Sequence, residues 1–140
     1  MDELAKLTDP EAEFLTVGSI LIDDAYLPET RAVVAPEDFT QGPLRLYYRA
    51  MLALADRGVG VDVYTLKWEV MSMDERAWKP SIAAQMGSLP TACHARHYAE
   101  RVHDLAERRR MLREAQQIAG AALDITKPII KGTKGGVAQV

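Results

Sequence analysis

The chain has little of what several protein classes require. It contains one cysteine, Cys93, so no disulfide framework can form and a reducing compartment is expected. It shows no signal peptide and no apolar run long enough to span a bilayer, which predicts a cytoplasmic protein without a membrane partner. Runs of β-branched residues are short, whereas Ala, Leu, Glu and Arg dominate, and this composition favours an all-α fold.

The charges that are present are unevenly spread. Residues 1–95 hold 15 acidic and 8 basic residues, whereas residues 96–140 hold 9 basic and 5 acidic ones. Such asymmetry is typical of a surface that meets a partner. The acidic part argues against DNA binding there, since phosphate contacts need clustered Lys and Arg. With 140 residues, the chain is expected to form one domain.

Capping signals mark where the main helices begin and end. Asp9 followed by Pro10 predicts one helix start, and Gly42 followed by Pro43 predicts another. Gly58 suits the left-handed turn that closes the second of these helices. Asp62 is a good N-cap for the next helix. We expect Pro36–Phe39 to form one tight turn that places Phe39 in the core.

These signals predict a compact bundle of about six helices that ends in one long helix. Residues 1–8 are expected to be flexible, residues 9–123 to form the domain, and residues 124–140 to be an extended or disordered tail. The remaining segments follow from breakers and periodicity: a short helix over 28–34, a connection over 71–79, two turns over 80–86 and the long helix over 91–123.

Apolar spacing predicts which faces are buried. The helix after Gly42 has one buried side, formed by Tyr47, Ala50, Met51 and Leu54, and one wet side, formed by Arg45, Arg49 and Asp56. The next helix is expected to turn Val63, Leu66 and Val70 inward, and Leu52 is expected to be exposed. Gly18 lies inside an apolar helix, where it costs about 1 kcal/mol against alanine, and this predicts a close helix–helix approach.

Two apolar stripes run along the long helix. The first is formed by Tyr98, Val102, Leu105, Leu112, Ala119 and Leu123, and we expect it to pack on the rest of the domain. The second is formed by Met111, Ala115, Ile118 and Ala122 and needs a different partner.

Arg109 lies on the first stripe of the long helix. A buried arginine needs a partner, and Glu13 or Glu11 on the first helix is the expected carboxylate. The alternative is that the side chain reaches solvent along its stem. Arg108, Arg110 and Arg113 are expected to be solvated.

Motifs that could carry chemistry are incomplete. Cys93, His94, His97 and His103 do not share one helix face and lack a carboxylate that would complete a tetrahedral metal site. The acidic pairs at 23–24, 37–38 and 74–75 fall where caps are needed and have no neighbouring base. The glycine-rich residues 132–140 lack the Gly-Lys-Thr of a phosphate-binding loop. We therefore predict no catalytic residue, no cofactor and no metal site.

Three segments in order resemble the N-terminal domain of DnaB-type replicative helicases. They are PEAEFLTVGSILID, PEDFTQGPLRLYYRAMLALADRGVGVDVYTL and PTACHARHYAERVHDLAERRRMLREAQQIAGAAL. The shared features are the acid–acid–Phe turn, the Arg-hydrophobic-Tyr helix start, Gly58 followed by Asp62, and Tyr98 with Arg109. The chain departs from the family in Ser81–Gly87, which is shorter, and after residue 123, where DITKPIIKGTKGGVAQV replaces a second long helix.

The resemblance implies a non-catalytic module. In this family the domain forms a collar above the motor ring, helps to assemble the hexamer and offers a docking surface for primase, while ATP hydrolysis belongs to a C-terminal motor. The implied partners are a second copy, a replicative helicase, a primase or a helicase loader, with DNA met only indirectly. The predicted interface residues are Met111, Ala115, Ile118, Ala122, Arg108 and Arg110. The predicted structural residues are Glu13, Phe39, Tyr47, Gly58, Asp62, Tyr98 and Arg109.

Two alternatives stay open. One is a stand-alone protein of a mobile element that binds and modulates a host helicase. The other is a weak single-stranded DNA-binding module that uses the basic half of the chain, although the aromatics that would stack bases are missing there. Its candidate contacts are Arg101, Arg108, Arg110, Arg113, Lys127, Lys131 and Lys134.

Overall fold

The computed structural model describes residues 3–129, and in these residues it is all-helical. Short 3-10 helices cover Leu4–Leu7, Asp24–Tyr26 and Pro36–Asp38. The α-helices, in chain order, are α1 (Pro10–Ile22), α2 (Leu27–Arg31), α3 (Gly42–Asp56), α4 (Val63–Met73), α5 (Pro80–Gly87) and α6 (Ala95–Leu123). The predicted all-α class with a long last helix is confirmed. The domain limits at residues 9 and 123 stay predictions.

The predicted helix ends are formed by the residues that signalled them. Asp9 accepts a hydrogen bond from the Ala12 N–H at 3.0 Å and caps α1. Asp62 caps α4 by accepting from the Thr65 N–H at 2.9 Å. Gly58 follows α3 with φ of 72°, the left-handed conformation that glycine adopts without strain. These contacts are local, so the sequence alone predicts them well.

The core forms around α1, which packs against α5 and α6, while α3 packs against α4. Val17 and Ile20 of α1 are fully buried. A Cβ added at Gly18 would lie 2.5 Å from Leu89 Cδ1 and 3.4 Å from Met86 Cγ. The close approach predicted at Gly18 is therefore confirmed, and its neighbours are α5 and the residues that follow it.

The buried side of α3 is also as predicted. Tyr47, Ala50, Met51 and Leu54 are all buried. The same side includes Tyr48, which the periodicity did not single out. Its hydroxyl donates to the Val34 carbonyl at 2.8 Å, and its ring lies 5.1 Å from that of Phe39. Phe39 is itself buried, because the 3-10 turn over Pro36–Asp38 directs it inward.

Two predicted side-chain environments are wrong. Leu52 is half-buried and packs against the core, because the segment that contains Val33 and Val34 lies beside it. Val63 is 38% exposed, since it is the first residue of α4 and the buried side of that helix is set by Leu66 and Val70. Both errors concern positions at the edge of a helix face, where neighbouring segments decide burial.

Three predicted boundaries also shift. α2 ends at Arg31 and not near residue 34. α4 continues to Met73, so the expected connection over 71–79 begins three residues later. α6 begins at Ala95 and not at residue 91. Residues before it form a turn in which the Thr91 hydroxyl accepts from the Cys93 N–H at 3.1 Å, so this side chain competes with helix formation.

Candidate partner interface on the long helix

α6 consists of a packed part and a projecting part. Its buried side chains all lie between Ala95 and Arg109, and none of residues 113–123 is buried. At 1.5 Å per residue, these last residues extend about 16 Å beyond the packed part. The first apolar stripe therefore packs on the domain only as far as Leu112, which is half-buried, while Ala119 and Leu123 are exposed. The packing predicted for this stripe therefore holds as far as Leu112 and not beyond it.

Arg109 anchors the packed part of α6. Its side chain is buried and donates from Nη1 to the Leu7 carbonyl at 2.6 Å and from Nη2 to the Asp38 carbonyl at 2.8 Å. Burial lowers the pKa of Arg109, and the nearby Glu13 carboxylate opposes this shift. The expected pairing with a carboxylate is corrected: main-chain carbonyls are the hydrogen-bond partners, and Glu13 acts only through its charge.

The Glu13 carboxylate binds donors at the start of α3 and is not hydrogen-bonded to Arg109, its predicted partner. It is almost fully buried and accepts hydrogen bonds from the Thr40 N–H at 2.9 Å, the Thr40 hydroxyl at 2.6 Å and the Gln41 N–H at 3.1 Å. These donors lie at the start of α3, where the helix dipole favours a negative charge. Glu13 thus joins α1 to α3, and its oxygens are satisfied without Arg109.

Asp38 joins the turn before α3 to the side of α6. Its side chain is 1% exposed and contacts His103 Nδ1 at 3.0 Å, the Ala35 N–H at 3.1 Å and the Arg110 guanidinium. Burial alone would raise the pKa of Asp38, but the hydrogen bonds from His103, Arg110 and Ala35 outweigh burial and lower it. Arg110 also pairs with Glu107 at 2.6 Å and stays 44% exposed, so it is solvated, as predicted, and paired as well.

The arrangement around Asp38 was missed by the sequence analysis. Asp38 and His103 are separated by 65 positions, and no local spacing indicates that they meet. His103 contacts the Asp38 carboxylate and Arg109 contacts the Asp38 carbonyl, so both residues hold α6 against the turn over Pro36–Asp38. The direction in which the projecting part leaves the domain is therefore set by polar contacts as well as by packing.

The second apolar stripe begins at Met111, beside the end of the packed part, and continues along the projecting part of α6, where it faces solvent. Met111 is 68% exposed and Ile118 is 37% exposed, and Ala115 and Ala122 are also exposed. We call these four residues the α6 seam. The structure brings them onto one exposed helix face, as the spacing predicted.

Two further residues continue the spacing of the α6 seam. Ile125 is 94% exposed and Ile129 is 63% exposed, and both follow Ala122 at the same alternation of three and four positions. Because α6 ends at Leu123 and residues 124–129 are not helical, this spacing does not place the two residues on the helix face of the seam. Both residues belong to the segment predicted as a tail.

Three of the six arginines of α6 are paired with acids. Arg101 contacts Asp9 at 3.1 Å, and Arg108 contacts Asp104 at 2.9 Å. With Arg110 paired as well, these three arginines do not form a field of free positive charge. This weakens the alternative in which the basic half binds single-stranded DNA.

Two predicted structural tyrosines have clear contacts. Tyr47 stacks on Trp78 with ring centroids 5.4 Å apart, and its hydroxyl accepts from the Lys79 N–H at 2.7 Å. It thereby holds the segment between α4 and α5 against α3. Tyr98 is half-buried at the start of α6, with its ring 6.2 Å from that of His94.

Among residues 3–129, no group of three or more His, Cys, Asp or Glu side chains is placed to hold a metal ion. The glycine-rich segment over 132–140 lies outside the described residues. No helix in the described part of the chain is both long enough and apolar enough to cross a membrane.

Comparison with known proteins agrees with this architecture. A family model described as the DnaB-like helicase N-terminal domain matches residues 5–104. The chain belongs to this family. The matched residues include α1 to α5 and α6 as far as residue 104. The projecting part of α6 lies beyond them.

Curated DnaB relatives are similar over most of this chain. The chain is 31% identical to the replicative DNA helicase DnaB of Geobacillus stearothermophilus and 34% identical to the replicative DNA helicase DnaC of Bacillus subtilis, over 112 residues in each case. Each match covers 78% of the chain and 25% of the relative. The chain therefore spans about a quarter of the length of these helicases.

Solved DnaB N-terminal domains share the fold. The crystal structure of the N-terminal domain of DnaB helicase from Mycobacterium tuberculosis superposes with a TM-score of 0.76 at 24% identity, covering 82% of this chain and 84% of that one. The DnaB N-terminal domain from Helicobacter pylori, described together with its interactions with primase, gives a TM-score of 0.68 at 20% identity. It covers 87% of this chain and 98% of that one.

Proposed function

We propose that the chain is a non-catalytic DNA-replication module that assembles with itself or with a replicative helicase and offers a docking surface to primase or a loader. The observation that carries this proposal is the exposed α6 seam on a DnaB-like N-terminal domain. An exposed apolar helix face on a folded domain favours binding of a partner, because the partner removes that apolar surface from water. Residues 9–123 would be the folding unit that presents it.

The chemistry of the α6 seam suits pairing with another helix. Met111 and Ile118 alternate with Ala115 and Ala122, so large side chains can insert beside small ones when two helices approach. The spacing of three and four positions has a mean of 3.5 and favours a left-handed crossing. A second copy of the chain, or the equivalent domain of a helicase, would provide such a helix.

Docking of primase is proposed by extension from a relative. The Helicobacter pylori DnaB N-terminal domain is described with interactions with primase, and this chain shares its fold. DNA would be met only through these partners, since Arg101, Arg108 and Arg110 are paired with acids. The proposal assigns no catalytic step to the described residues.

Sedimentation equilibrium on substituted chains tests the assembly. We expect the unsubstituted chain to self-associate, and Met111→Glu combined with Ile118→Glu to weaken association at least about tenfold, because two charges would enter an apolar interface. Leu123→Glu is the matched control, since Leu123 is 81% exposed on α6 but lies about 100° from the seam. All three chains should keep the same helical circular dichroism.

Binding measurements separate the partners. Purified primase, helicase loader and full-length replicative helicase are each titrated against the chain by calorimetry. Binding of at least one of them that the seam variant loses supports the proposal, and altered unwinding by the full-length helicase would favour the modulator alternative. A chain that stays monomeric and binds none of the three at high micromolar concentration would refute it.

A further inference from the structure

A second exposed face lies on α4, far from the α6 seam in the sequence. Tyr64, Trp68 and Met71 follow one another at intervals of four and three positions and are 65%, 66% and 40% exposed. The two aromatic rings lie 6.4 Å apart and are tilted by 41°. We call these three residues the α4 aromatic face. Tryptophan is usually well covered in a folded domain, so this exposure needs a reason.

The buried side of α4 turns the α4 aromatic face outward. Leu66 and Val70 are fully buried on the opposite side of α4, about 180° from Trp68. At the side, the Arg57 guanidinium pairs with the Glu69 carboxylate at 2.5 Å and ties α4 to the end of α3. Because the helix beneath the face is already formed, no backbone entropy of α4 would be lost on binding.

The size of the face limits what can cover it. From Tyr64 to Met71 the helix rises about 11 Å, and the exposed parts of the three side chains offer on the order of 300 Å². A stable dimer buries roughly 800 Å² on each partner, so a second copy held by this face alone is disfavoured. A single helix that lays a few apolar side chains across the face matches the available area.

The charges around the face indicate which charges a helix bound there would carry. Asp62 lies at one end of α4, and Asp74 and Glu75 lie at the other, all exposed. Lys67, which is also exposed, lies between them along the chain, and Arg76 follows the acidic pair. Carboxylates at both ends repel a phosphate backbone, which disfavours stacking of single-stranded DNA on the rings.

We propose that the α4 aromatic face is a docking site for a short amphipathic helix of a protein partner, with apolar anchors in its middle and basic residues at both ends. Tyr64 and Trp68 would bind the anchors, as aromatic residues commonly do at the centre of interfaces. The acids at each end would attract the basic ends of this helix and favour it over an acidic helix. This site does not use the α6 seam, so it does not depend on the proposed assembly.

Calorimetry with the full chain and designed peptides tests this site. The probe is a synthetic peptide of about four helical turns, with leucines spaced at three and four positions and lysines at both ends. A second peptide carries glutamates in place of the lysines. We expect the lysine peptide to bind at least about fivefold more tightly than the glutamate peptide, because the exposed acids of α4 attract one and repel the other.

Variants assign the binding to named residues. Trp68→Ala should weaken binding of the lysine peptide at least about tenfold, and Asp74→Asn with Glu75→Gln about threefold. Leu123→Ala is the matched control, an exposed apolar truncation on α6 that should leave affinity unchanged. Thermal unfolding should be unaltered in every variant, because the substituted side chains are exposed.

Several results would overturn the proposal. They are equal affinity for both peptides, a loss of binding in Leu123→Ala equal to that in Trp68→Ala, or no binding of either peptide. Saturable binding of oligo(dT) that Trp68→Ala abolishes would reassign the face to nucleic acid. A monomer–dimer equilibrium that Trp68→Ala abolishes would reassign it to a second copy of the chain.

Discussion

Replacing Arg109 by methionine tests how the long helix is held on the domain. Methionine keeps an apolar stem of similar length but removes both donors to the Leu7 and Asp38 carbonyls. Hydrogen bonds from a charged group contribute roughly 1.5–3 kcal/mol each, and removal of a buried charge regains part of its desolvation cost. We expect a net loss of about 2–4 kcal/mol in the free energy of unfolding.

Urea unfolding followed by circular dichroism measures this loss. With a slope of about 1.5–2 kcal/mol per molar urea, the midpoint should fall by roughly 1–2 M. The urea midpoint of Arg109→Lys should lie between those of the unsubstituted chain and Arg109→Met. One ammonium group cannot reproduce the planar guanidinium, which reaches two separate carbonyls. Hydrogen exchange should also quicken over Leu4–Leu7, because the Leu7 carbonyl loses its partner on α6.

Arg113→Met is the matched control for this experiment. Arg113 lies one turn further along α6 and is exposed, so its replacement should change stability by less than about 0.5 kcal/mol. If Arg109→Met costs less than about 1 kcal/mol, or no more than Arg113→Met, the two carbonyl contacts do not anchor the helix and the reasoning is refuted.

Three further predictions concern packing, backbone and charge. Gly18→Ala should destabilise the chain by about 1 kcal/mol, because its Cβ would meet Leu89. In a Leu89→Ala background the same substitution should be stabilising, since alanine has the higher helix propensity. Urea unfolding of the four chains measures this coupling, and a Gly18→Ala that destabilises both backgrounds contradicts the argument. Gly58→Ala should cost about 1 kcal/mol by the same assay, because φ is 72°, and a neutral result would argue against that turn. The lowered pKa of Asp38 should contribute stability that is present above about pH 4 and is lost as the pH falls through the folded-state pKa. Between pH 5 and 2, the urea midpoint should therefore fall less steeply with pH for Asp38→Asn than for the unsubstituted chain. An equal dependence of the midpoint on pH in both chains would exclude this contribution.

Helix ends were predictable, because their causes lie within a few residues of the chain. Asp9 and Asp62 cap the helices that they precede, and Gly58 takes the left-handed turn, as these residue types do wherever the local chain permits. The buried side of α3 followed from periodicity in the same way. The exposed α6 seam was also readable, since four apolar residues lay outside the stripe that packs on the domain.

The contacts that organise the candidate site were not predictable by the same means. Arg109 was recognised as a residue that needs a partner, but its partners are main-chain carbonyls 102 and 71 positions away. A carbonyl is present at every residue, so no pattern of residue types marks which one is used. The predicted partner, Glu13, was instead taken up by the start of α3.

The sequence by itself determined the all-α class, the positions of most helix ends, the family and the apolar spacing of the long helix, because these depend on residue type and on separations of a few positions. Only the tertiary structure decided that α6 is packed as far as Leu112 and projects beyond it, that Asp38 meets His103, and that Trp68 faces solvent. Those outcomes depend on which distant segments arrive beside a side chain, and helix periodicity carries no information about that arrival.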